Sequence, residues 1–260
     1  MRTLRAVNNA AMALASLIGL VAFLYPFFNL NLDQGDPNWG AHSQDAPLLM
    51  VILVVVSLVS LMATLSSGRM NSKTIAMLGI LTAVNAVLRA VPGPAGFSAM
   101  YVLPIVAGYV FGSHFGFLLG TLSVMVSALI GAGVGPWLPY QMIAVGWIGL
   151  SSGWLPKLAD RRLELGMLVV WGVLWGILFG ALMNLWFWPF IYQEQQANMY
   201  WQPGLGLGEG LRRYAVFYLA TSAWWDLAGA VGNALLVGLF GMPLLKLLKR
   251  FQRRFFFKVD

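Results

Sequence analysis

Residues 166–190 read Gly-Met-Leu-Val-Val-Trp-Gly-Val-Leu-Trp-Gly-Ile-Leu-Phe-Gly-Ala-Leu-Met-Asn-Leu-Trp-Phe-Trp-Pro-Phe, an uncharged run in which Asn184 is the one amide side chain. About 20 consecutive apolar residues in a helix cross the hydrocarbon core of a bilayer. A helix that is apolar all round belongs in a large core or in lipid. Working outward from this run, the same pattern recurs along the chain, with spans expected near 8–28, 47–66, 74–91, 97–112, 114–133, 138–156, 166–190 and 213–240. Of the 260 residues 59% are hydrophobic and 10% charged, too few polar groups to coat a water-soluble domain of this size. The reading is an all-α integral membrane protein of about eight spans. Gly112-Ser113-His114 leaves room only for a tight antiparallel hairpin between the fourth and fifth.

The positive charges choose an orientation. Arg2 and Arg5, Arg69 and Lys73, Lys157, Arg161 and Arg162, and the six basic residues from Lys246 to Lys258 share one side if the N-terminus is cytoplasmic. Only Arg89, Arg212 and Arg213 then lie outward, with the acidic residues Asp33, Asp36 and Asp45. The positive-inside rule therefore predicts both termini in the cytoplasm of a cell-membrane protein. The first run is too long for the apolar part of a signal peptide, and no Ala-x-Ala-like cleavage site closes it, so it reads as a retained span. The last span runs into Gly241-Met242-Pro243 and a basic, aromatic stretch ending in Phe257, expected to lie along the anionic inner leaflet.

Several chemistries are excluded. There is no cysteine, so no disulfide or thiolate metal site. Two histidines, His42 and His114, do not make a transition-metal cage; no metal or cofactor is expected. The net charge of +7 follows membrane topology and not a nucleic-acid footprint. Gly68-Arg-Met-Asn-Ser-Lys73-Thr74 lacks the glycine before the lysine of a phosphate-binding loop and precedes a span instead of following a strand. Gly204-Leu-Gly-Leu-Gly-Glu-Gly210 reads as a flexible loop, and Gly112-Ser-His-Phe-Gly116 does not match a nucleophile elbow.

The remaining polar residues sit where lipid should exclude them. Asp226 lies about thirteen residues into the expected last span, near the midplane, where an ionisable group marks a pathway or a site. The structural alternative is a hydrogen bond to Asn184 or Asn233. Trp224 and Trp225 adjoin it as possible pocket wall. Asn85 and Arg89 are one turn apart on the third span; Arg89 either holds a ligand or snorkels to the headgroups. Gly131-Ala-Gly-Val-Gly-Pro-Trp137-Leu-Pro-Tyr140-Gln141-Met142 shapes a turn that presents Trp137 and Tyr140, with Gln141 offering donor and acceptor. Asn184, Trp188 and Tyr218 complete an expected outward-facing, aromatic-lined cavity with few polar contacts, entered between the loops near 92–96, 133–138 and 191–212. Ala76, Gly79 and Ala83 recur at close-packing spacing on the third span, for packing within the chain or for docking another subunit.

From about Lys73 to Lys249 the chain resembles the substrate-binding S component of energy-coupling factor (ECF) vitamin transporters. The likeness rests on the small-residue span Thr74 to Arg89, on the hairpin Tyr109-Val-Phe-Gly-Ser-His-Phe-Gly-Phe-Leu-Leu-Gly120 and on Gly135-Pro-Trp-Leu-Pro-Tyr-Gln-Met142. Tyr218-Leu-Ala-Thr-Ser-Ala-Trp-Trp-Asp226, followed by Gly232-Asn-Ala-Leu-Leu, completes it. The resemblance implies a six-helix core that binds a vitamin from outside and associates with a transmembrane coupling subunit and two cytoplasmic ATPases. It implies that Ala76, Gly79 and Ala83 meet the coupling subunit. Similar S components assigned to cobalamin or its precursors make a corrinoid the first expected substrate. The chain is then divided into a two-helix membrane extension at 1–68, which departs from the family pattern, a six-helix core at 69–249 and a basic tail at 250–260. The rival reading is a membrane enzyme or a structural membrane partner without a transported ligand. An enzyme needs an acid, base or nucleophile assembled in one cleft, and Asp226 is the one such group expected at depth, so no enzyme is expected.

Overall fold

Apolar runs become helices here because hydrocarbon offers the backbone no hydrogen-bond partners of its own. The computed structural model describes residues 2–29, 42, 44–66, 72–91, 93 and 97–256. Asp33, Asp36, Arg69, Lys258, the boundary near residue 68 and most of the 92–96 loop lie outside the described residues. The helices are α1 Arg2–Leu24, α2 Ala46–Ser66, α3 Ser72–Ala90, α4 Val102–Phe111, α5 Ser113–Ser127, α6 Leu138–Ser152, α7 Arg161–Phe187, α8 Leu207–Thr221 and α9 Ala223–Phe256. Among the described residues, five helical stretches are long and apolar enough to cross a membrane: Ala10–Phe28, Ser72–Ala90, Ser113–Ala132, Arg161–Phe190 and Ala223–Arg254. Ala46–Val59 and Ala99–Phe111 are apolar but shorter.

At the centre, α4, α5 and α6 touch backbone to backbone. A methyl group added at Gly116 would lie 2.2 Å from the carbonyl oxygen of Gly149, and one at Gly149 would lie 2.0 Å from that of Gly116. Gly108 approaches the same Gly149 oxygen, at 2.1 Å, and Gly120 approaches Val145 O at 2.3 Å. Side chains around these contacts are sealed from solvent, among them Tyr109, Phe117, Leu118, Ile143 and Ile148. The link from α4 to α5 is Gly112 alone, with φ +98°, a conformation that glycine adopts without steric strain. That is the tight hairpin expected from the sequence.

The helices α1 and α2 pack on each other and rest on α5 and α6. Gly19 of α1 lies against Ile143, and Trp147 donates to Ser16 at 3.0 Å. On the other flank α7 and α9 pair closely. Gly172, Gly176 and Gly180, one turn apart on α7, open a groove for Val237, Ala230 and Asp226 of α9. At the far end Glu164 of α7 pairs with Lys249 of α9 at 2.5 Å and accepts from the Tyr109 hydroxyl at 2.8 Å.

One expectation is corrected. The run 213–240 is not one span: Ser222, at φ −132° and ψ −27°, breaks it into α8 and α9. The break is held by Ser222 Oγ donating to Asn184 Oδ1 of α7 at 2.7 Å, a contact between residues distant in sequence. As expected, the last span runs on past Pro243 into the basic stretch, and α9 continues through it to Phe256. Intramembrane helices tolerate such a proline when neighbouring groups and local adjustment satisfy the freed carbonyl.

The glycine contacts yield a direct test. Gly116→Val has only rigid backbone to displace, so it should lower stability by about 3 kcal/mol or more. Gly79→Val, on α3, meets nothing within 4 Å and should change stability by less than about 0.5 kcal/mol. Thermal unfolding of the two purified variants in detergent compares them; equal stability would refute the central backbone contact.

Candidate functional site

The chain ends of α3 and α5, the start of α6, the last turns of α7 and the first turns of α9 enclose a cavity of about 750 Å³. It forms from α3 outward. Asn85 and Arg89, one turn apart, face Ser123 and Ser127, one turn apart on α5. Asn85 donates to Ser123 Oγ at 2.8 Å, and Arg89 Nη1 donates to Ser127 Oγ at 2.7 Å. Arg89 Nη2 donates to Gln141 Oε1 at the start of α6. The guanidinium is thus held by neutral acceptors, and among the described residues no carboxylate is in salt-bridge contact with it. After Ser127 the helix widens into a π turn, Ala128–Ala132, which contains Gly131 at φ +116°. Gly131 and Ala132 line the cavity there.

The opposite wall carries Asp226. Because α9 begins at Ala223, Asp226 is in its first turn, not near the middle of a span as the unbroken run 213–240 suggested. It fits only because residue 180 is glycine: a Cβ there would lie 2.0 Å from Asp226 Oδ2. Tyr218 stands beside the carboxylate, and Oδ2 is buried without a hydrogen-bond partner among the described residues. Asn184 and Asn233 do not bond to it. Asn184 donates to Gly180 O at 2.8 Å and accepts from Ser222. Tyr101, buried, is close enough to interact electrostatically with both Asp226 and Arg89. Phe97, Met100, Phe179, Met183 and Trp225 supply the apolar walls.

Of the residues singled out from sequence, Arg89, Gln141, Asn184, Trp225 and Asp226 line this one cavity, and Tyr218 stands beside Asp226 without lining it. Trp137, Tyr140 and Trp188 stand elsewhere. Trp137 covers Gly135 with its ring, 2.3 Å from where a Cβ would lie. Tyr140 is fully buried; its hydroxyl lies 2.6 Å from His42 Nδ1 and donates to Asp45. His42 also contacts Trp186 O through Nε2 at 3.2 Å. This cluster fastens the chain entering α2 onto α6 and α7. Burial pushes the Asp45 carboxyl up, but hydrogen bonds from His42 and Tyr140 and the charge of His42 outweigh it and leave the group below its usual range. Trp188 donates to Met199 O at 2.9 Å within an aromatic cap with Tyr200, Trp201 and Phe217. Arg213 braces the cap by donating to Ala197 O and Tyr200 O, and hydrogen bonds from Arg212 and Arg213 hold Glu209 down to about 2.

Sequence reasoning did not single out Ser123, Ser127, Tyr101 or Ser222. The first two had a signal: two serines at the spacing of Asn85 and Arg89 in the mostly apolar second half of a helix. Tyr101 and Ser222 had none short of the fold. Ala76, Gly79 and Ala83 are all exposed on α3, so they do not serve packing within the chain.

An uncompensated buried carboxylate oxygen destabilises the empty protein. Asp226→Asn should therefore raise the melting temperature of the ligand-free protein by roughly 2–4 °C. Calorimetry or tryptophan fluorescence in detergent reads this, and a lower melting temperature would mean that Asp226 is a structural tie.

A family model for the ECF transporter substrate-specific component matches residues 73–241. No curated protein and no solved structure matches the chain. The matched segment begins at α3 and ends within α9, so it holds every cavity-lining residue and leaves α1 and α2 outside. It is a family of membrane-embedded binding subunits of transporters and not of enzymes. With well over half of its length matched, the chain belongs to the ECF transporter substrate-specific component family.

Proposed function

We propose that this chain captures a vitamin-like micronutrient in the cavity between Arg89 and Asp226 and presents it to an ATP-driven import module. The observation that carries this reading is the pair itself: Arg89 and Asp226 line one apolar-walled space, and among the described residues neither is in a salt bridge. A ligand with an acceptor or anionic group for Arg89 and an N–H, O–H or cationic group for Asp226 satisfies both. Phe97, Phe179 and Trp225 line the cavity and offer an apolar or ring-bearing part of such a ligand surfaces to pack against. A volume of about 750 Å³ suits a ligand of drug-like size. Corrinoids and their precursors, indicated by the sequence resemblance, are the first class to assay.

The proposed assembly has a transmembrane coupling subunit and two cytoplasmic ATPases, with both termini of this chain cytoplasmic and the cavity open to the outside. Exposed Ala76, Gly79 and Ala83 give α3 a shallow face on which another helix can approach closely. The two-helix extension rests on α5 and α6 and leaves that face uncovered.

Mass spectrometry of the small molecule that co-purifies identifies the ligand. Arg89→Ala and Asp226→Asn should each weaken its binding at least tenfold, about 1.4 kcal/mol, while Trp188→Phe, in the separate aromatic cap, leaves it within about threefold. If both cavity variants bind as tightly as the parent protein, the ligand sits elsewhere and the reading is abandoned. On the partner side, Gly79→Leu should reduce recovery of the coupling subunit from co-expressing cells without altering ligand affinity. Undiminished recovery would rule out α3 as the docking face.

A further inference from the structure

A second cavity, of about 490 Å³, lies at the other end of the α7–α9 pair. Lys246, twenty residues after Asp226 on α9, places it about 30 Å along the helix from the first cavity, roughly one hydrocarbon thickness. Its lining is cationic: Lys246, Arg250, Arg253 and Arg254 from α9, and Arg161 from the start of α7. At 100° per residue the four α9 positions fall within an arc of about 100°, one face of the helix. The acidic lining residue, Glu164, is already engaged by Lys249 and Tyr109. Among the described residues no carboxylate pairs with the other five cations. A concave surface with this many like charges is strained electrostatically until an anion enters it.

We propose that this cavity binds a phosphate group, supplied by the headgroup of an anionic phospholipid. Arginines suit phosphate because their planar forks donate two parallel hydrogen bonds to its oxygens. Basic pockets between helix ends are where such headgroups are held. The surroundings favour a lipid over a free ion. The floor is apolar, formed by Leu158, Met242 and Leu245, and the flanking Leu163 and Leu247 are 66% and 47% exposed. These exposed leucines, close in sequence to the basic lining residues, give acyl chains apolar surface to pack against. The site is independent of the ligand cavity and stands whichever solute that cavity takes.

The test uses the purified full-length chain in a neutral detergent, with thermal unfolding followed by tryptophan fluorescence. Added phosphatidylglycerol should raise the melting temperature by about 4 °C or more, and phosphatidylcholine should not. The double variant R250Q/R253Q should lose most of that shift. The R212Q variant, which removes a single cation far from the cavity, should keep it. A second double variant, K246Q/R254Q, repeats the test should the first be poorly folded. Inorganic phosphate at millimolar concentration separates the sources. If it leaves the phosphatidylglycerol effect intact, the lipid is the ligand; if it alone reproduces the shift and competes, the phosphate site stands with a soluble source. A phosphatidylglycerol shift that survives in both double variants, or no shift with either phosphate compound, overturns the proposal.

Discussion

Three helices share one point in this protein, the carbonyl of Gly149, and Gly108 and Gly116 approach it to distances that no side chain permits. Lipid gives helices no hydrophobic reason to associate, since a bilayer is as apolar as leucine. Association must come from close contact, and close contact demands glycine where backbones meet. Around that point α4, α5 and α6 become the fixed body of the molecule, on which α3 and the α7–α9 pair stand as the walls of a cavity. The ladder from Asn85 and Arg89 to Ser123 and Ser127 then sets the height of α3 against α5. Arg89 is thus a consequence of the fold as much as a feature of the site.

The membrane character was legible because the bilayer imposes a length and a composition on each crossing, and both are properties of a continuous stretch. The division of the last run into α8 and α9 was not. Nothing local at Ser222 demands a break; it depends on Asn184, distant in sequence, and on the room that Gly180 leaves for Asp226. Misplacing that helix start shifted the apparent depth of Asp226 by more than two turns.

The same division governs the site. Arg89, Gln141, Asn184 and Asp226 could be picked from sequence because polar groups within apolar runs announce themselves, and the fold brings them to one cavity. Aromatic residues announce nothing so specific. Tyr140 and Trp188 are equally suited to a ligand wall or a sealed core. Long-range contacts decide: the His42–Asp45 turn covers Tyr140, and the chain around Tyr200 covers Trp188. Small residues carry the same ambiguity. Those of α3 face outward, whereas the glycine series Gly172, Gly176 and Gly180 of α7 receives α9. Spacing alone shows that a close approach is possible and not from which side.

The unneutralised oxygen of Asp226 has one more consequence, which concerns the membrane itself. Acyl chains surround a membrane-embedded protein at very high concentration, and walls of phenylalanine and methionine would welcome them. A hydrocarbon tail entering the cavity would strip water from the polar groups that line it and return no hydrogen bond to them. That penalty amounts to several kcal/mol for each charge. The two charges thus act against the most abundant competitor by making the cavity hostile to it, and this exclusion operates before any solute arrives.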